Sequence, residues 1–206
     1  MPQTIPNAED ALQRLLAGNR RYSTGQLAHP RQTPQRRLEV AAEQHPFAAI
    51  LGCVDSRAAP EIIFDQGLGD LYVVRVAAHL ADSVVLGSLE LGVVALGLRL
   101  IVVLGHDQCA AFSVALELLG LGAGAAAPPP PASHLRYLTD PLQPAVAAAQ
   151  ARAGNLLDNA IDANISRVVE QLEVSSPVLA EHVEAQGLKI VGARYSLTTG
   201  EVTFMS

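Results

Sequence analysis

Cys53, Asp55 and Arg57 stand at i, i+2 and i+4 directly after an apolar run, Phe47-Ala48-Ala49-Ile50-Leu51-Gly52. A second run, Leu100-Ile101-Val102-Val103-Leu104, ends in Gly105-His106-Asp107-Gln108-Cys109. The chain has two cysteines, each just past one of these runs, the second with a histidine three residues before it. Two thiolates and an imidazole make a soft three-ligand set suited to zinc. They cancel the charge of the ion and leave a fourth position for water, whose pKa the metal lowers from about 15.7 toward about 7. An Asp and an Arg two residues apart can form a charge-assisted pair that orients a group beside the metal. The plainer readings are a disulfide or two inert thiols, and a surface ion pair. Cysteines beside His and Asp in a cytosolic chain more often mean metal or catalysis.

Such ligands need strands to carry them. Both runs are short, fully apolar and bounded by Pro or Gly, which predicts buried parallel strands, and sites in open α/β sheets gather where such strands end. Before them, Asn7 caps a first helix with Ala11, Leu12, Leu15 and Leu16 at helical spacing, and Thr33-Pro34 opens a second that runs to about Gln44. This arm, residues 1–45, either covers one sheet face or packs on a partner subunit. Pro60 starts a short helix, and 71–76 is a strand. A helix capped by Asp82 or Ser83 reaches Leu96, where Gly97 ends it. The second cysteine opens a helix to about Leu119, and residues 120–133, with Pro128 to Pro131, read as a solvated polyproline-like loop. Helices at 141–152, 155–173 and 177–186 precede a strand at 188–195 and an antiparallel edge strand at 201–205. The expectation is an α/β fold: a mostly parallel sheet with an antiparallel edge strand, flanked by helices, in a single domain 1–206 with its core in 46–206.

Composition narrows the function. The net charge of −6 gives no reason to expect a nucleic-acid partner. The longest apolar stretch, Val84 to Leu104, carries Glu90 and Arg99 and is broken by Ser and Gly, so it reads as helix, turn and strand and not as a membrane span. Met1 to Asp10 lacks the basic and apolar regions of a signal peptide, which points to the cytoplasm.

Cys53-Val54-Asp55-Ser56-Arg57, followed some fifty residues later by Gly105-His106-x-x-Cys109, resembles the β-class carbonic anhydrases of bacterial type. The resemblance extends through Gln44-His45-Pro46-Phe47, the stretch Ala59 to Leu71, Gly87-Ser88-Leu89-Glu90 and the closing Gly192-Ala193-Arg194-Tyr195 with Thr199-Gly200-Glu201-Val202. It implies a zinc lyase that hydrates carbon dioxide reversibly to bicarbonate. One zinc per chain would be held by Cys53, His106 and Cys109, with Asp55 and Arg57 as the catalytic dyad and Asp55 a fourth ligand only in a closed state. It also implies a homodimer or dimer of dimers, with the N-terminal arm wrapping the partner.

The chain departs from the family pattern at three places. Ala78-His79 stand where Gly-Asn is usual, Ala110 follows the second cysteine where Gly is usual, and Ile50 replaces the Trp of members with an allosteric bicarbonate site. The first two are expected to alter the pocket rim, with His79 a rim residue or a proton shuttle. His29, His45, His134 and His182 read as surface residues. The altered rim keeps open a carbonyl sulfide or carbon disulfide hydrolase on the same scaffold. A non-catalytic zinc-binding assembly subunit would show damaged ligands or a damaged dyad, and neither is seen.

Overall fold

The computed structural model describes residues 5–122 and 133–205. The four prolines expected in a solvated loop lie outside the described residues. Five strands form one sheet in the order β2-β1-β3-β4-β5. They are β1 (Ala48–Gly52), β2 (Leu71–Arg75), β3 (Leu100–His106), β4 (Lys189–Tyr195) and β5 (Val202–Phe204). The first four are parallel to their neighbours, and β5 runs antiparallel to β4.

β1 and β3 are buried along their whole length, as runs without polar alternation require when helices cover both faces. Ala49 and Leu51 of β1 and Ile101 and Val103 of β3 face one layer, with α4 (Ser83–Leu96), α5 (Ala110–Leu118), α7 (Gln143–Gln150), α8 (Leu156–Ser175) and α9 (Pro177–Gln186). Ala48, Ile50, Leu100, Val102 and Leu104 face the other, with α1 (Ala8–Ser23) and α3 (Pro60–Ile63). The remaining helices, α2 (Pro34–Glu39) and α6 (Arg136–Thr139), are short.

The caps act as their residue types dictate. Asn7, Thr33, Asp82, Asn155 and Ser176 each accept a backbone N–H in the first turn of the helix they open. Gly97 and Gly187 end α4 and α9 at φ 69° and 71°, a left-handed conformation that costs a Gly little.

Two expectations change. α2 stops at Glu39, not near Gln44, because it buries no residue, and a short helix without tertiary packing does not propagate. β3 continues past Leu104, pairing Gly105 with Arg194 and His106 with Tyr195. His106 is therefore the last residue of a strand rather than part of a following loop.

The arm is tied to its own subunit. Ala8, Ala11 and Leu15 of α1 are buried on the sheet. Buried Asp65 accepts from Arg21 Nε at 2.5 Å and from the N–H groups of Ala28 and His29, each at 3.0 Å. Buried Asp70 pairs with Arg14 at 3.0 Å and with Arg31. Up to about residue 31 the arm thus covers one sheet face, and α2, with Leu38 66% exposed and no residue fully buried, is held through Arg36, whose Nε donates to the Leu68 carbonyl at 3.0 Å.

Candidate metal centre

The strand order determines where the ligands meet. From β1 the chain passes to β2 on one side, then returns to place β3 on the other side of β1. The carboxyl ends of β1 and β3 therefore flank a topological switch point, where loops diverge and leave a crevice. Gly52 at the end of β1 is in register with Leu104 of β3. Cys53 comes directly after β1, His106 closes β3, and Cys109 is the N-cap residue of α5. Their ligand atoms all lie within 4.8 Å of one another, and all three residues are buried.

The chemistry of this donor set fits zinc. Cys53 Sγ and Cys109 Sγ are 3.9 Å apart and unbridged. Two sulfurs each about 2.3 Å from one tetrahedral ion stand about 3.8 Å apart. His106 Nδ1 lies 2.8 Å from the Asp107 carbonyl and donates to it, which leaves Nε2 as the lone-pair nitrogen. That buried Nε2 has no hydrogen-bond partner among the described residues. A buried imidazole nitrogen turned toward two thiols and otherwise unsatisfied is an arrangement that a cation completes.

Protonation favours the same reading. The neighbouring Cys109 thiol pulls Cys53 well below the ordinary thiol range, against burial. Cys109 is pushed up by that neighbouring sulfur and by burial. The two shifts are opposite in direction, as for two sulfurs that share a proton.

Asp55 stands beside the cluster, its Oδ2 3.9 Å from His106 Nε2. Arg57 binds it as a fork, Nε to Oδ1 at 2.9 Å and Nη2 to Oδ2 at 2.7 Å, and the Arg57 N–H also donates to Oδ1 at 2.9 Å. These bonds hold the Asp55 carboxyl down at about 2, against burial. Arg57 is steadied in turn by the Gln108 carbonyl at 3.2 Å.

Sequence reading missed Arg75. From the end of β2 its Nε donates to the Cys53 carbonyl at 2.7 Å and its Nη2 to the Asp55 carbonyl at 2.6 Å. It clamps the loop that carries both groups. The available signal was a lone cation closing the apolar run Leu71 to Val74. Asn164 was missed too, although it interrupts the apolar stripe of α8 between Ala160 and Val168.

His79 is not on the rim. It is 1% exposed, its Nε2 lies 3.2 Å from Asn164 Nδ2, and its ring is tilted against Phe112. The reason is the 3-10 turn Ala77–His79, which folds the side chain inward beneath α8. Ala110, by contrast, is exposed at the first turn of α5. Burial lowers His79 from its ordinary 6.5 to about 4. The unfolded chain therefore takes up a proton that the folded chain refuses. The stabilisation from neutral His79 is present in full above about pH 6.5 and is lost as the pH falls toward 4. Wild type should lose stability relative to a His79→Asn variant across that window, by up to about 3 kcal/mol, as read by urea melts of metal-free protein. Parallel curves would show that His79 is solvated.

The carbonic anhydrase family model matches residues 48–202. Carbonic anhydrase 2 of Mycobacterium tuberculosis is 40% identical over 200 residues, 97% of this chain and 93% of the relative. The carbonic anhydrase of Mycolicibacterium smegmatis is 38% identical over 206 residues, covering all of this chain and 96% of the relative. Among solved structures, the Coccomyxa β-carbonic anhydrase in complex with acetazolamide superposes with a TM-score of 0.70 at 25% identity, over 94% of this chain and 86% of that one. The β-carbonic anhydrase CcaA shares the fold at a TM-score of 0.70 and 24% identity, covering 95% of each chain. With the sheet order, the thiol and imidazole cluster and the alignment over nearly the whole chain in agreement, this protein belongs to the β class of the carbonic anhydrase family.

Proposed function

We propose that this chain catalyses the reversible hydration of carbon dioxide to bicarbonate and a proton, with one zinc held by Cys53, His106 and Cys109 and with Asp55 and Arg57 as its catalytic dyad. The observation that carries the reading is the ionised Asp55, forked by Arg57, standing beside three buried ligand atoms. Zinc bound there would supply the acidification of a water in its open fourth position. Asp55 would accept a hydrogen bond from the reacting water and so orient it toward carbon dioxide. Arg57 keeps Asp55 ionised and draws it away from the cluster, so the fourth position stays open. Arg75 and the Gln108 carbonyl hold the backbone and the guanidinium in place.

Stopped-flow carbon dioxide hydration on metal-analysed protein, run beside a carbonyl sulfide assay, tests this. Hydration should rise in proportion to bound zinc. Carbonyl sulfide turnover without hydration would replace the assignment by the sulfide hydrolase. With His79 buried, the altered-rim argument for that hydrolase reduces to Ala110 alone.

The same reading includes a homo-oligomer. α4 is apolar on two sides: Val85, Leu89, Gly92 and Val93 face the core, while Val84 (77%), Leu91 (58%) and Val94 (62%) are exposed. These three recur at i, i+7 and i+10 on one stripe, with Gly87 between them, beside edge strand β2. A second copy of this chain is the self-complementary cover for such a stripe. Leu91→Glu should convert the dimer to monomer in light scattering; an unchanged mass would place the interface elsewhere. One sheet shared by all the core helices supports reading residues 1–206 as a single domain. Among the described residues no helix is long and apolar enough to cross a membrane.

A further inference from the structure

Asn164 belongs to neither the ligand set nor the dyad, yet its side chain is fully buried. From α8 its Nδ2 donates to the Ala78 carbonyl at 3.1 Å and to His79 Nε2 at 3.2 Å. Its Oδ1 has no partner among the described residues, so these two bonds alone fix the amide. Flipped, it would set an oxygen against the Ala78 carbonyl. Seven residues on, Gln171 of the same helix donates to the Ala81 carbonyl at 2.7 Å. α8 therefore grips the segment 78–81 at two points.

That segment needs holding. Ala78 at φ 54° and His79 at φ 46° are consecutive left-handed residues, neither of them Gly. Such backbone persists only where its surroundings impose it. The turn packs between the two ligand strands: His79 Cε1 lies 3.2 Å from where a Cβ on Gly105 would stand, next to His106. On the other side Ala78 lies in the same buried cluster as Cys53.

We propose that Asn164 is a positioning residue for the metal centre: it holds the strained Ala78–His79 turn so that Ala78 keeps its place in the buried cluster with Cys53 and the His79 ring stays packed against the strand that carries His106. The inference rests on the zinc reading of Cys53 and His106, and Asn164 acts through the Ala78 peptide without touching substrate.

Two readouts report on the site without turnover: zinc affinity by chelator competition, and the thiolate-to-metal charge-transfer band of the Co(II)-substituted protein. Asn164→Ala and the shape-matched Asn164→Leu should each weaken zinc by about 10- to 100-fold. Both should also move the band, because a relaxed turn no longer keeps Cys53 and His106 at their places around the ion. Adding Ala78→Gly to Asn164→Ala relieves the left-handed strain and should restore both readouts. Wild-type affinity and an unmoved band in both single variants would overturn the proposal and leave the zinc reading intact. A wild type that takes up no zinc overturns the zinc reading and this inference together. Loss of fold in Asn164→Ala that Ala78→Gly does not repair also counts against it, since the amide would then serve the core and not the turn.

Discussion

Replacing Cys53 or Cys109 by Ser should strip the protein of zinc and reduce carbon dioxide hydration to the uncatalysed background. The two sulfurs are the only thiols in the chain, they are buried, and they lie 3.9 Å apart. A serine hydroxyl at either position is a harder ligand that stays protonated near neutral pH, so the site loses one of its two charge-neutralising donors. No other cysteine can substitute. The remaining cysteine and His106 would hold the ion too weakly to survive dialysis. Metal analysis and stopped-flow rates on the same preparation give the answer. Full activity in a zinc-free preparation would falsify the metal assignment. The fold itself should survive, because β1 and β3 are packed by their apolar residues and not by the ion.

Arg57→Ala should retain zinc, lose hydration activity by about 10²-fold or more, and close the site. In the wild type the Arg57 fork holds both Asp55 oxygens, at 2.9 and 2.7 Å. Arg57 is about half exposed, so removing it costs less than breaking a fully buried pair. The carboxylate it leaves behind is 11% exposed, and a bound zinc would be the nearest cation able to satisfy it. Asp55 should therefore swing onto the metal and displace the water. A crystal structure of the variant would then show an Asp55 oxygen about 2.0–2.2 Å from zinc, with four protein ligands. An Asp55 that stays off the metal, together with near wild-type turnover, would rule out this account of the dyad. In the wild type the Arg57 fork, which occupies both Asp55 oxygens, favours the open arrangement near neutral pH, and a neutral-pH crystal structure with Asp55 on zinc would reverse that expectation.

Most of the architecture could be read along the chain because it is set by neighbours along the chain. Unbroken apolar runs specify strands covered on both faces, and Asn7, Asp82, Asn155 and Ser176 mark helix starts by bonds spanning three residues. The spacings within Cys53-x-Asp55-x-Arg57 and His106-x-x-Cys109 fix which groups emerge together at each strand end. That the two motifs meet depends on β1 and β3 being adjacent parallel strands: the alternation of strands and helices implies the parallel sheet, while their adjacency came with the tertiary strand order.

What the sequence did not determine involves bonds between residues far apart in it. The Arg75 clamp on the ligand loop, the burial of His79 and the Asn164 grip on Ala78 join groups 20 to 86 residues apart. No local period encodes them. α2 ended early for the same reason: its length was set by the absence of a packing surface, not by its residues. The arm likewise folded onto its own sheet through Asp65 and Asp70, two carboxylates whose partners are visible only once the chain is assembled. Local propensity and spacing selected the elements and the metal chemistry. Tertiary packing decided which polar side chains were turned inward, because a polar group that is free in solvent along the chain must find a partner once helices close over it.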